Sequence, residues 1–252
     1  MSVLEQMQPI GLEQMNAVRL MNRVDQKYIA CVDQLETLLG KVADAYYVQH
    51  IDGNPWSSYR TLYFDTEGLA MYTMHHNGKI NRQKIRVRTY CSTDATYFEI
   101  KNKDNKGKTH KVRIPVKEAD FDSVFSLPEV RRFVSDRTEY PVETLHECLE
   151  NRFERLTLVD KNMKERVTID KGIRFYNRAT GCKADISRLM VIEVKHEVGA
   201  PKSEIEKALS SMYILPRRMS KYCIGTALTN NDVKRSRFSR KLKYIDKIIN
   251  KV

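Results

Sequence analysis

The sequence predicts an α+β protein in which antiparallel strands curl into a tunnel with a charged interior, while helices pack on its outside. Two patterns carry that expectation. Segment after segment alternates apolar and polar residues with a period of two, as strands with one buried face do. The polar side of those segments is dominated by Arg and Lys, where a solvated sheet face ordinarily mixes Thr, Ser, Gln, Lys and Glu. A third observation concerns domains. Glycine and proline are sparse, 10 and 7 in 252 residues, and dispersed. No linker divides the chain, so residues 1–230 read as one body and 231–252 as a basic, amphipathic tail.

Taken in order, Arg23–Val32 reads as a strand and Asp33–Ala45 as a helix, with Asp33 as N-cap and Leu35, Leu38, Leu39 and Val42 on its apolar stripe. Ser58–Asp65 is a strand rich in aromatic and β-branched residues, and Gly68–His76 a short helix. Gln83–Tyr90, Tyr97–Lys103 and Lys108–Val116 alternate strongly, and Asp104, Asn105 and Gly107 supply a hairpin turn between the last two. Glu118–Arg137 reads as helical with a break at Pro128. Cys148–Lys161 and Lys164–Asp170 form a second hairpin, and Met190–His196 a further strand. Ser203–Tyr213 is a helix opened by a Ser203–Glu206 capping box. Ser220–Thr229 closes the body, and Phe238, Leu242, Ile245 and Ile249 recur at helical spacing in the tail.

Residues i and i+2 of a strand share a face. Arg86 and Arg88 therefore stand together, as do Glu99, Lys101 and Lys103, then Lys111 and Arg113, and Arg166 and Asp170. Arg155 lies opposite Leu156 and Leu158; Glu193 and Lys195 share a side; Arg23, Asp25 and Lys27 share another. Taken singly, each could be a solvated outer face. Together they place like charges on neighbouring strands, which is destabilising unless the faces converge on one cavity holding a polyanion. Arg suits bidentate phosphate contacts and Lys acts as a point charge. The few acids on these faces, Asp25, Glu99, Asp170 and Glu193, either pair with neighbouring cations or hold a divalent cation between themselves and phosphate oxygens; Glu193 and Glu99 are the candidates for metal.

Composition narrows the classes. The net charge is +12, and from Asp232 to Val252 eight basic residues stand against two acidic ones, half of the excess. Such a balance implies an anionic partner. The tail reads as a solvated helix packed on the body, as a contact for an anionic membrane surface or partner, or as a holder, by simple charge, of a polyanion emerging from the cavity. No apolar run approaches the roughly 20 residues of a membrane span, and no secretory signal is visible. Five scattered cysteines without C-x-x-C argue against a disulfide framework or zinc site and fit a cytoplasmic location. No P-loop, G-x-S-x-G or H-E-x-x-H motif occurs. His75 and His76 read as surface or capping residues, His110 and His196 as flanking the strands, and Trp56 as a loop anchor. Tyr59, Tyr63 and Tyr90 could stack on adenine, though core packing is the commoner role.

Several of these segments, in this order, resemble the VTC domain of polyphosphate polymerases, in the triphosphate tunnel metalloenzyme superfamily: Arg23-Val-Asp-Gln-Lys27-Tyr28, Leu62-Tyr-Phe-Asp65-Thr66, Lys84-Ile-Arg86-Val-Arg88-Thr-Tyr90, Phe98-Glu99-Ile-Lys101, Lys111-Val-Arg113, Phe153-Glu-Arg155, Arg166-Val-Thr-Ile-Asp170, Val191-Ile-Glu193-Val-Lys195 and Ser220-Lys221-Tyr222. The resemblance runs from about Met21 to Leu228. It implies an eight-stranded antiparallel tunnel and a transfer of the ATP γ-phosphate to a polyphosphate chain with Mn²⁺ or Mg²⁺. It implies Lys27, Arg86, Arg88, Lys101, Lys111, Arg155, Arg166 and Lys221 as tunnel-lining phosphate ligands and Glu193 as the carboxylate at the metal. Together with the strand faces, the expected site has Arg86, Arg88, Lys101, Arg155, Arg166 and Lys221 as catalytic cations, Lys27, Arg23, Lys111, Arg113, Lys195 and Ser220 as further phosphate ligands, and Glu193 and Glu99 at the metal. The departures are Phe153, where the branch commonly has Tyr, and Asp25, where it often has Glu. ATP and inorganic polyphosphate are the expected partners, and no specific nucleic acid is. The alternatives are a tripolyphosphatase on the same fold and a non-catalytic polyanion binder.

Overall fold

The computed structural model describes residues 2–15, 23–106 and 108–250. Gly107 of the predicted turn, Met21 at the start of the resemblance and the side chain of Arg23 lie outside the described residues. The strands are β1 (Pro9–Ile10), β2 (Arg23–Cys31), β3 (Tyr46–Gln49), β4 (Trp56–Thr66), β5 (Arg82–Tyr90), β6 (Ala95–Lys103), β7 (Thr109–Val116), β8 (Leu145–Asp160), β9 (Glu165–Asn177), β10 (Lys183–Asp185) and β11 (Leu189–Glu197). The helices are α1 (Val3–Gln6), α2 (Leu12–Met15), α3 (Leu35–Val42), α4 (Ala70–His76), α5 (Pro128–Ser135), α6 (Glu204–Ser211), α7 (Lys221–Thr229) and α8 (Ser239–Ile249).

Eight strands follow the path β2-β11-β9-β8-β4-β5-β6-β7, every neighbouring pair antiparallel. This is the expected strand number. The path ends on β2 and β7, and among the described residues no ladder joins those two, so the tunnel wall is not closed by hydrogen bonds. β3 and β10 extend β8 and β9, and β1 pairs with β3.

The period-two pattern sorts the two faces of the sheet. Outward-pointing Leu62, Ile85, Val87, Phe98 and Ile100 pack under Phe121 and under Val130 and Val134 of α5. Leu156, Leu158, Val167, Ile169, Ile192 and Val194 pack under α3 and α6. α7 does something else. Its Tyr222, Cys223, Ile224 and Ala227 cluster with Ile29, Tyr63, Leu149, Phe153, Phe175 and Val191, which alternate with the outward residues. This helix therefore plugs the tunnel from the inside. With nine residues it would be marginal in isolation, but burying Tyr222 and Ile224 contributes about 1.5–3 kcal/mol apiece. Asp65, wholly buried, accepts hydrogen bonds from Tyr222 Oη (2.5 Å) and from the backbone N–H of Met71 and Tyr72 (both 2.9 Å). It ties the plug to the first turn of α4.

Several local expectations shift. A 3₁₀ turn at Val32–Gln34 precedes α3, so Gln34, not Asp33, is its N-cap. Pro128 opens α5 at its first turn instead of breaking a longer helix, and two 3₁₀ turns lead up to it. β9 runs on to Asn177 past a bulge in its pairing with β8, and four-residue β3 was too short to signal. Trp56 starts β4 instead of anchoring a loop, with Lys171 Nζ 3.7 Å from its ring centroid. The tail is packed on the body: Phe238, Ile245 and Ile248 are buried in the plug's cluster. That packing also buries His76, expected on the surface; its Nε2 accepts from the Arg237 backbone N–H (3.3 Å). All five cysteines are free, and no helix of the described residues is long and apolar enough to cross a membrane.

At Gly225 the plug packs tightly against the wall. A Cβ there would stand 2.5 Å from Phe175 Cδ1 and 2.6 Å from Leu149 Cδ2. Gly225→Ala is expected to lower stability by about 1–3 kcal/mol through overpacking, read as a lower urea midpoint at unchanged m-value.

Candidate phosphate-binding site

The interior wall is a grid whose rows run across the strands. One row sets Lys27 beside Glu193, Thr168 and Thr157; the next sets Ile29 beside Val191, Asp170 and Arg155. On the opposite half, Thr61 stands beside Arg88, Tyr63 beside Arg86 and Glu99, and Lys84 beside Lys101 and Lys111. Arg86 and Arg88 are buried side chains at 7% exposure each, which only opposite charge or a bound anion can offset.

Three carboxylates provide part of that offset. Glu99, wholly buried, accepts from Arg86 through Nε (2.7 Å) and Nη2 (2.5 Å) and from Lys111 Nζ (3.1 Å). Asp170 takes Arg155 in a two-pronged pair (2.6 and 2.8 Å) and also Lys221. Glu193 binds Lys27 and Lys195. Burial pushes all three carboxyls up, but the cations around them outweigh it and hold each well below the usual carboxylate range. Lys101 has the reverse environment: the Arg86 charge first, then burial, then Arg88 push its ammonium well below its ordinary value. The wall remains under-neutralised where Lys101 sits.

The remaining predicted residues are placed as follows. Ser220 caps α7, its Oγ accepting from Cys223 N–H (3.3 Å), so the positive end of that helix points into the cationic cavity beside Lys221. Arg166 and Asp25 both stand in register with Lys195, on either side of it. Arg113 lies exposed on the edge strand β7, its guanidinium 4.0 Å from the Tyr97 ring. His110 is exposed against Asp104 and His196 packs by Glu206 on the outer side, so neither joins the wall.

Two sets of residues escaped the sequence reading as ligands. Lys84 reaches across to Ser220 Oγ (3.1 Å); its i−2 relation to Arg86 was the available signal. Thr168 Oγ1 and both amide atoms of Asn151 are buried without a hydrogen-bond partner among the described residues, and no sequence pattern marks them. Phe153 gains a role that needs no hydroxyl. It stacks on Tyr59 (5.0 Å between centroids), and Arg155, Arg88 and Lys221 lie 5.4, 5.7 and 4.3 Å from its ring, so its π-face steadies these cations. Tyr59 is thereby part of the wall packing, and Tyr63 packs against Tyr222 of the plug, 5.2 Å between ring centroids.

Among the described residues no three of His, Cys, Asp and Glu converge as a metal site. Mg²⁺-type ions, however, commonly take one or two carboxylates plus substrate phosphates. Glu193 fits that pattern: it is partly accessible at 18% and its partners are single lysines. Glu99 fits it less well, since both its oxygens are engaged by Arg86 and Lys111.

An inward-facing basic wall on an eight-stranded antiparallel sheet, with a helix closing one end, defines a triphosphate-tunnel protein. The chain belongs to the VTC domain family, whose sequence model matches residues 22–230. It is similar in fold to a Bacillus halodurans protein provisionally described as an adenylate cyclase, at 13% identity and TM-score 0.50, over 79% of this chain and 94% of that one. It is likewise similar to a Hippeastrum protein provisionally described as an adenylyl cyclase, for which a dominant triphosphatase activity is described, at 13% identity and TM-score 0.51, over 83% and 97%. No curated protein sequence matches the chain at a significant level.

Burial, only partly opposed by Glu193, pulls the Lys195 ammonium down to about 8. Raising the pH through that value removes its proton and one positive charge from the wall. Tripolyphosphate affinity, measured calorimetrically from about pH 6.5 to 9.5, is expected to fall across this window, and Lys195→Arg to flatten the fall because guanidinium keeps its proton.

Proposed function

We propose that this protein is a polyphosphate polymerase that transfers the γ-phosphoryl group of ATP to the end of a growing polyphosphate chain inside the tunnel. A terminal phosphate oxygen of the chain attacks the γ-phosphorus in line, a new P–O–P bond forms, and the bond to the ADP oxygen breaks. Arg86, Arg88, Lys101, Arg155, Arg166 and Lys221 would take the charge spread over the transferred group's oxygens. Lys27, Lys111 and Lys195, joined by Lys84 and the Ser220 end of α7, would hold the rest of the phosphates; Arg113, exposed on the edge strand β7, would reach them from the rim. Glu193 would hold the Mn²⁺ or Mg²⁺, which when bound neutralises phosphate charge.

The observation that carries the reading is the state of the wall carboxylates. Glu99, Asp170 and Glu193 are each engaged by Lys or Arg and held ionised far below neutrality. Such groups are weak general bases. Water as nucleophile needs a proton taken away; a chain-end phosphate arrives already deprotonated. Transfer to phosphate therefore suits this wall better than hydrolysis, and membership in the VTC domain family points the same way.

Incubation with ATP and Mn²⁺ or Mg²⁺ is expected to give polyphosphate on a stained gel. Arg86→Ala and Glu193→Ala are expected to lose about 100-fold or more of that activity, as when a transition-state donor is removed. Orthophosphate without polymer would replace this reading with a tripolyphosphatase; intact ATP would leave a polyanion binder.

A further inference from the structure

The interior column of β5 does not stop at the predicted ligands. Two residues before Lys84, on the same face, comes half-buried Arg82, in register with Lys103 of β6. Exposed Arg218 lies two residues ahead of Ser220, whose Oγ holds Lys84. The tail closes the set. Phe238 is buried with its ring edge-on to His75 at 6.3 Å, and Lys241 Nζ lies 5.9 Å from the Phe238 ring. The tail is held there by Arg237, whose Nη1 donates to Asn77 O (2.8 Å), and by Tyr72 Oη donating to Lys234 O (2.8 Å). Lys241 is half-buried, unlike exposed Lys243 and Lys247 on the same helix.

These cations lie close enough to perturb one another. Burial first, then Arg82 and Arg218, lower Lys103; burial and then Arg218 act against Lys241. Burial pushes His75 down to about 3, with Lys84, Arg82, Lys241 and Lys103 adding to it. The Asp104 carboxylate acts on Lys103 in the opposite sense. Unlike the inner wall, the cluster contains no Glu99, Asp170 or Glu193 to offset it.

We propose that Arg82, Lys103, Arg218 and Lys241 form a vestibule continuous with the tunnel that binds the phosphates of a polyphosphate chain protruding from it, and that α8 is present to complete this site. α8 lies beyond residues 22–230, where the domain match ends, so Lys241 comes from outside the matched domain, whereas Arg82, Lys103 and Arg218 lie within it. The proposal rests on the polyphosphate reading above. It turns a cradle for a triphosphate into a binding groove for a long polymer.

The test is calorimetric binding of tripolyphosphate and of long-chain polyphosphate to the full chain, with Lys241→Glu, Arg218→Glu, and Lys243→Glu as a control of equal charge change on the exposed side of α8. Lys241→Glu and Arg218→Glu are expected to weaken long-chain binding about fivefold or more at moderate salt and leave tripolyphosphate within about twofold, because phosphate contacts add per charge neutralised. Lys243→Glu should change neither, and circular dichroism melts should show all three variants folded. Equal weakening of both ligands, weakening of neither, or an equal effect of Lys243→Glu overturns the vestibule. Failure of the underlying reading looks different: wild-type protein would bind neither polymer, or Arg86→Ala would leave tripolyphosphate binding intact.

Discussion

Lys84, Lys101 and Lys111 stand abreast on three adjacent strands, and Arg86 and Arg88 occupy the rows beside them. Two unit charges about 5 Å apart at an effective dielectric near 20 repel by about 3 kcal/mol. A wall of this kind is therefore unfavourable as a packing solution. It persists because Glu99, Asp170 and Glu193 are spaced so that each takes two basic side chains, and because the surplus charge faces a cavity where a polyanion can answer it. Stability comes from elsewhere: the outward clusters under α5 and under α3 and α6, and the plug.

The plug joins those two demands. Its hydrophobic side fills one end of the tunnel, while its N-terminus, Ser220 and Lys221, adds a helix dipole and an ammonium to the wall. Asp65 holds it through Tyr222, and Gly225 permits its close approach to Leu149 and Phe175. The tail braces the same helix from behind through Phe238, Ile245 and Ile248. The proposed phosphate ligands Lys27, Arg155, Arg166, Lys195 and Lys221 stand on β2, β8, β9, β11 and α7, which share this one continuous packing unit, as positioning catalysis requires.

The carboxylates then have two distinct duties. Glu99 and Asp170 lie deep and bridge basic side chains, Asp170 doing so between the sheet and the plug. Glu193 is more accessible, with single lysines from β2 and from its own strand as partners. Lysines can swing away on flexible stems, whereas a two-pronged arginine pair resists displacement. An incoming phosphate that draws Lys27 or Lys195 toward itself would leave Glu193 open to a divalent cation, and the same event would disrupt Glu99 and Asp170 far less.

Alternation in the sequence determined the strands and which of their faces is basic, because a period of two is written into backbone geometry. It also contained the ordered segments that carry the family, and hence Arg86, Arg88, Arg155, Glu193 and Lys221. It could not show that Glu99 is locked by Arg86 and Lys111, nor that Lys84 meets Ser220, nor that Asn151 and Thr168 bury unpaired polar atoms, since these depend on residues 12 to 136 positions apart being brought into contact or on the wall being enclosed. Amphipathic spacing made α8 visible, yet nothing in that spacing said that its apolar side would brace the plug or that Lys241 would fold back over Phe238. Which side of the sheet becomes the inside is decided only when the sheet curls, α7 enters it, and the apolar residues on the other face find α3, α5 and α6 to bury them.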